Sequence, residues 1–170
     1  MSEKKDAFAD YLQGEEKSNR KRALTVKSYK NVDNDLTDAD VNSELATYGD
    51  ALLKYALSEK LYGLVENITE EKKKYESDEV LVSVIAHHYD LLQYIRFDKG
   101  NKKIPRDYNF KKKKAKDSPH KYIATTVEAL LAAIYLDYGK STEVVFDIVE
   151  QWKKLIDASI HSRSLSKRTP

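Results

Sequence analysis

Apolar residues recur along this chain at intervals of three and four, the signature of helices with one buried face. Leu81, Val84, Ile85, Leu91, Leu92 and Ile95 fall on one such stripe, with His88 among them. Val144, Val145, Ile148, Val149, Trp152 and Leu155 form another. Start and stop signals frame these runs. A short helix is expected over Ala7–Leu12, broken at Gly14, and a second over Arg20–Tyr29. Thr37, with Asp40 three residues on, reads as a capping box, and one long helix should follow to Leu61. Thr69 should cap a charged helix ending near Ser77, and Ser77 should cap the next. Ser118-Pro119 should open a helix that stops at Gly139, and Ser141 or Thr142 should cap the last. The stretch Asp98–Asp117 lacks periodicity and contains Pro105, so it reads as a loop. The expectation is an all-α helical bundle in one domain over 20–160. A short N-terminal extension over 1–19 and a basic disordered tail over 161–170 complete it.

Composition supports this picture. Of 170 residues, 41% are hydrophobic and 34% charged, with only five Gly and three Pro, which disfavours a turn-rich β fold. The absence of cysteine excludes disulfides and thiolate metal sites. The N-terminal residues lack the apolar core of a signal peptide, and no run reaches the roughly 20 apolar residues that span a bilayer. A soluble, cytoplasmic protein with no membrane partner is therefore expected. Net charge is only +2, yet ten basic residues against two acidic ones crowd between Lys99 and Lys121. Such a run is often a solvated loop, but inside a near-neutral chain it points to a polyanion. Lys111, Lys112, Lys113, Lys114 and Lys121 are the candidate phosphate contacts.

Two helices carry candidate carboxylates. Asp50 follows Gly49 in mid-helix, where glycine costs roughly 1 kcal/mol relative to alanine. Close approach of another backbone or of a nucleic-acid strand would justify it. Glu128 stands at the mouth of a helix that is apolar almost all round for the next two turns. A carboxylate there is costly to desolvate unless it meets a cation or a metal. On these residues alone a purely structural role, as cap, ion pair or surface acid, stays open.

The same residues carry a family resemblance. Asn42 to Leu53, NSELATYGDALL, resembles the signature helix of ribonuclease III, whose usual form is NERLEFLGDAVL. Lys121 to Asp137, KYIATTVEALLAAIYLD, is similar to that family's second motif, in which DTVEALIGAIYLD is typical. In the same order, Ala23 to Tyr29 resembles its ALTHRSY segment, and Val82 to Gly100 its LAEIAKEYGLDKYIRLGKG stretch. Together these matches run over about residues 20–157.

The resemblance implies an all-helical endoribonuclease domain that dimerises through the signature helix and cuts both strands of double-stranded RNA. It implies Mg²⁺, with Mn²⁺ as a substitute, held by acids from both motifs and supplying a nucleophilic water. Asp50 matches the signature Asp and Glu128 the second motif's Glu; these are the implied catalytic and metal-binding pair. Ser43, Ala46 and Thr125 stand where further acids are usual. Helical spacing puts 43, 46 and 50 on one face, and 125 and 128 on one face of the partner helix. The five should therefore surround one point, with two carboxylates where the common pattern has four. The compact Mini-III branch shares the Ala and Thr at these positions, lacks the double-stranded-RNA-binding domain, and is active on ribosomal RNA precursors. Non-catalytic relatives that bind RNA or act as scaffolds also lose acids here, so an inactive RNA-binding protein is the alternative. Thr47 replaces an aromatic that usually plugs into the partner subunit, which leaves Thr47 and Tyr48 as the candidate dimer contacts. His87 and His88 have no carboxylate at metal-binding spacing and read as structural, as does Trp152 in the core.

Overall fold

The computed structural model describes residues 6–98 and 121–166, with side chains to 164. Among these the protein is all helical, and the single β-type pairing is an isolated bridge between Thr25 and Arg96. Seven α-helices are α1 (Ala7–Gln13), α2 (Ser18–Ala23), α3 (Ser43–Leu61), α4 (Ile68–Glu76), α5 (Asp78–Val80), α6 (Lys121–Asp137) and α7 (Thr142–Ser166). The expected loop from Asp98 to Asp117, the Ser118-Pro119 helix start, and Lys111, Lys112, Lys113 and Lys114 lie outside the described residues, apart from Asp98 itself.

Helix α6 is the axis of the bundle. Between Ile123 and Ile134, every side chain is buried except those of Thr125 and Glu128. Three alanines, Ala129, Ala132 and Ala133, let neighbours approach its backbone closely. The long helix α3 packs along it through Leu45, Leu52, Leu53, Ala56 and Leu57. Trp152, Ile148 and Val149 of α7 close the core, as the spacing predicts.

The N-terminal segment is part of this core and not an appendage to it. Phe8 is fully buried against the Trp152 and Tyr89 rings. The buried Arg20 guanidinium donates to the carbonyls of Tyr11, Leu12 and Gly14, satisfying the open end of α1. Tyr11 and Asn19 both donate to the Asp137 carboxylate, at 2.6 and 2.7 Å, and tie this segment to the last turn of α6.

Several element boundaries differ from those expected. The helix over Arg20–Tyr29 stops at Ala23. The Leu24 carbonyl instead accepts from Arg96 N–H, and the Val26 N–H donates to the Arg96 carbonyl. A distant partner thus overrides local propensity. The Thr37–Asp40 capping box forms, but it closes one 3-10 turn, and the long helix begins only at Ser43. Asn67, not Thr69, caps α4 by accepting from Glu70 N–H. The helix after Ser77 is π-wound over Leu81–Ala86 and ends by Asp90, whose left-handed φ of 46° breaks it before Ile95. Gly139, at φ 67°, terminates α6 as expected, and Ser141 Oγ accepts from Val144 N–H at the start of α7. That last helix continues to Ser166, through much of the segment expected as a disordered tail. None of the described helices is long and apolar enough to cross a membrane.

Candidate active site

The site is created where α3 and α6 touch. A Cβ placed on Gly49 would lie 1.7 Å from the Glu128 carbonyl oxygen and 2.4 Å from its carbonyl carbon. No side chain fits there, so the mid-helix glycine is required by a backbone–backbone crossing at Glu128. Its neighbour Asp50 is thereby set beside Glu128. A second link fixes the same pair of helices at the N-terminal end of α3. Buried Asn42 donates to the Ala23 carbonyl and to Thr126 Oγ1, both at 3.2 Å, and Thr126 donates in turn to the Tyr122 carbonyl.

Asp50 and Glu128 open into a cavity of about 310 Å³, lined also by Lys54, Lys73, Glu76, Ser77 and Asp78. The additional acids come from the junction of α4 and α5, where Ser77 separates the two helices. Four carboxylates therefore share this space with two ammonium groups. Lys54, one turn beyond Asp50, donates to its Oδ2 at 2.7 Å. Burial pushes the Glu128 carboxyl up to about 7, with the negative charges of Asp50 and Asp78 adding to the rise and Lys54 and Lys121 opposing it. Asp50, and more distantly Glu76 and Glu128, holds the Lys54 amine above its usual range. One oxygen of Glu76, Oε2, is buried without a hydrogen-bond partner. Such a group is normally satisfied by protein, water or an ion.

The expected pair, Asp50 and Glu128, is thus brought together. Ser43, Ala46 and Thr125 are not among the residues lining the cavity. Ser43 is exposed and Ala46 is buried in the core, while the cavity extends the other way, toward Lys54 and the α4–α5 junction. Lys121 is exposed on the first turn of α6, on the side whose charge reaches Glu128. Thr47 is exposed and returns its hydroxyl to the Ser43 carbonyl of its own helix. Tyr48 is 40% exposed and packs edge-on against Tyr135 at 5.7 Å. His87 and His88 are exposed and outside the cavity. Sequence reasoning missed Lys54, Lys73, Glu76, Ser77 and Asp78. Only Lys54, at helical spacing from Asp50, carried a signal, because the others depend on how α4 folds back beside α3.

The fold and site together define a helical domain with a carboxylate-rich cleft at one helix crossing. Comparison with known proteins gives that class its family. The Ribonuclease III domain family matches residues 43–139. The chain is 34% identical over 125 residues to "Ribonuclease 3" of Onion yellows phytoplasma (strain OY-M), covering 72% of this chain and 47% of that protein. It is 31% identical over 143 residues to "Ribonuclease 3" of Natranaerobius thermophilus, covering 80% of this chain and 56% of that one. The chain spans about half the length of these relatives. It belongs to the ribonuclease III domain family.

Proposed function

We propose that this protein is a metal-dependent endoribonuclease acting on double-stranded RNA, with Asp50 and Glu128 as its metal-binding and catalytic pair. The observation that carries the reading is the α3–α6 crossing: Gly49 exists to let these two carboxylates share one cleft. The donor set suits Mg²⁺ or Mn²⁺, since the cleft offers carboxylate and hydroxyl oxygens without sulfur or imidazole. Among the described residues no three acidic or histidine side chains are gathered to hold an ion by themselves. Two carboxylates still suffice for Mg²⁺, which commonly relies on one or two plus water and substrate phosphate. The orphaned Glu76 Oε2 marks a further oxygen within the same wall that lacks a partner of its own. When bound, the ion supplies an activated water and neutralises charge on the phosphate. Asp50 and Glu128 would hold it, Glu128 doing so in its deprotonated form.

The reduced acid set is the pattern of the Mini-III branch, and structured or ribosomal RNA precursors are the corresponding substrates. A homodimer would form through α3, where Thr47, Tyr48 and the 47% exposed Tyr55 lie on the surface. Lys121, with the lysines at 111–114, would contact phosphates and grip the duplex by shape and charge. The test is cleavage of a structured duplex RNA in Mg²⁺ or Mn²⁺ by the full chain, alongside Asp50→Asn and Glu128→Gln. Cleavage abolished in both variants is expected. Duplex binding without cleavage at any metal concentration overturns the reading in favour of an RNA-binding or scaffold role. Neutralising residues 111–114 should weaken duplex binding and flatten its salt dependence, and unchanged binding would remove them from the interface.

A further inference from the structure

Lys54 occupies an unusual position for a helix-surface lysine. Its amine is 2.7 Å from Asp50 Oδ2, and it lines the same cleft as Glu76, Asp78 and Glu128. A solvent-exposed pair at this spacing contributes only about 0.3–0.5 kcal/mol to a helix, so stability gives little reason for it. The second lysine of the cleft is engaged elsewhere, with Lys73 held at 2.7 Å by Glu70 on its own helix. Lys54 is therefore the cation placed directly on Asp50, in the cleft that Asp50 shares with Glu128.

We propose that Lys54 is the second cation of this site: Asp50 and Glu128 hold one divalent ion, and the Lys54 ammonium supplies the other positive charge that faces the scissile phosphate. The inference rests on the endonuclease reading above. Phosphodiester hydrolysis spreads negative charge over the phosphate oxygens and onto the leaving ribose oxygen, and two positive centres commonly share it. A four-carboxylate site can hold two ions to that end. Here Glu76 and Asp78 line the cleft beside Asp50 and Glu128, but among the described residues no three acids gather to hold an ion, and an ammonium one turn from Asp50 supplies positive charge without needing further ligands. In the reaction the water oxygen bonds to phosphorus, the bond from phosphorus to the leaving oxygen breaks, and the water's proton balances the new hydroxyl. Lys54 transfers no proton. It acts as a fixed positive charge beside Asp50. Release of Lys54 from Asp50 accompanies ion entry, which makes the lysine a competitor of the ion and a helper of the chemistry at once.

This dual role gives a signature that a packing role would not. The full chain is titrated with Mn²⁺, free ion being followed by electron paramagnetic resonance, and single-turnover cleavage of a duplex RNA is measured at saturating Mn²⁺. The wild-type chain should hold one Mn²⁺ that Asp50→Asn abolishes. Lys54→Met should bind Mn²⁺ more tightly, by about 3- to 10-fold, because a competing charge has gone. The same variant should cleave about 100-fold more slowly, the usual loss when one charge stabiliser is removed. Lys54→Arg should stay within about 10-fold of wild type, since the charge is retained. Lys54→Met cleaving at the wild-type rate, or two Mn²⁺ ions in the wild-type cleft, overturns the inference while leaving the endonuclease reading intact. Loss of both Mn²⁺ affinity and cleavage in Lys54→Met, with Lys54→Arg no better, also overturns it and makes the lysine structural. A wild-type chain that neither holds Mn²⁺ at Asp50 nor cleaves brings down the endonuclease reading and this inference together.

Discussion

Helix α6 carries one half-buried acid at each of two polar clusters, and the two are built in opposite ways. At its C-terminal end, Asp137 accepts hydrogen bonds from the Tyr11 hydroxyl and the Asn19 amide. Those bonds satisfy both carboxylate oxygens, and the Tyr11 hydroxyl is held protonated, its pKa raised by burial first and by the Asp137 bond second. About two and a half turns earlier, Glu128 sits beside Asp50 and Asp78, and burial with like charge drives its carboxyl up to about 7. The first cluster is finished by the protein and ties the N-terminal segment to the core. The second is left short of positive charge, the condition in which an incoming cation gains most. A satisfied acid marks structure, whereas an unsatisfied one in a cleft marks a site.

Breaking the crossing itself should have the largest effect. Gly49→Ala puts a methyl group into the Glu128 carbonyl, so α3 and α6 must separate. A loss of about 3 kcal/mol or more in chemical denaturation is expected. Mn²⁺ affinity should fall with it, because Asp50 and Glu128 lose their common cleft. A fully stable alanine variant would mean that the glycine is not what sets the crossing.

The acid at the site should destabilise the metal-free fold. The folded pKa of Glu128, about 7, lies above the ordinary 4.5. Its favourable contribution is therefore fully present below about pH 4.5 and is lost as pH rises through about 7. Glu128→Gln removes that loss. Without divalent ions at pH 8, the variant should be more stable than wild type by about 1–3 kcal/mol, discounted for water in the cleft. At pH 4 the two should converge. A variant less stable at pH 8 would show that Glu128 is paired as Asp137 is.

Tyr11→Phe probes the finished cluster. It should cost about 1–2 kcal/mol in thermal or denaturant unfolding, through the lost hydrogen bond to Asp137. Mn²⁺ affinity should stay unchanged, because the two clusters are about two and a half turns apart on α6. A shift in metal affinity would show that they act as one.

Much of this was legible in the chain. The stripe of apolar positions located the major helices, and the mid-helix glycine beside Asp50 signalled a close approach that proved to be the Glu128 backbone. What local patterns missed was decided by distant partners. Thr25 and Val26 leave the helix to meet Arg96, and Phe8 and Tyr11 are drawn into the core by Trp152 and Asp137. Glu76 and Asp78 reach the cleft only through the fold-back of α4 and the short α5, and no spacing rule connects them to Asp50. Spacing alone likewise placed Ser43, Ala46 and Thr125 around the site, whereas the cleft opens along α3 toward Lys54.

The central claim, that Asp50 and Glu128 form one cation site, is tested most directly by a double-variant cycle on Mn²⁺ affinity. Asp50→Asn and Glu128→Gln should each weaken binding by about 10-fold or more, and the double variant should lose less than the two losses combined, since ligands of one ion are coupled. An affinity unchanged by either substitution, or losses that multiply as for independent sites, would contradict the account.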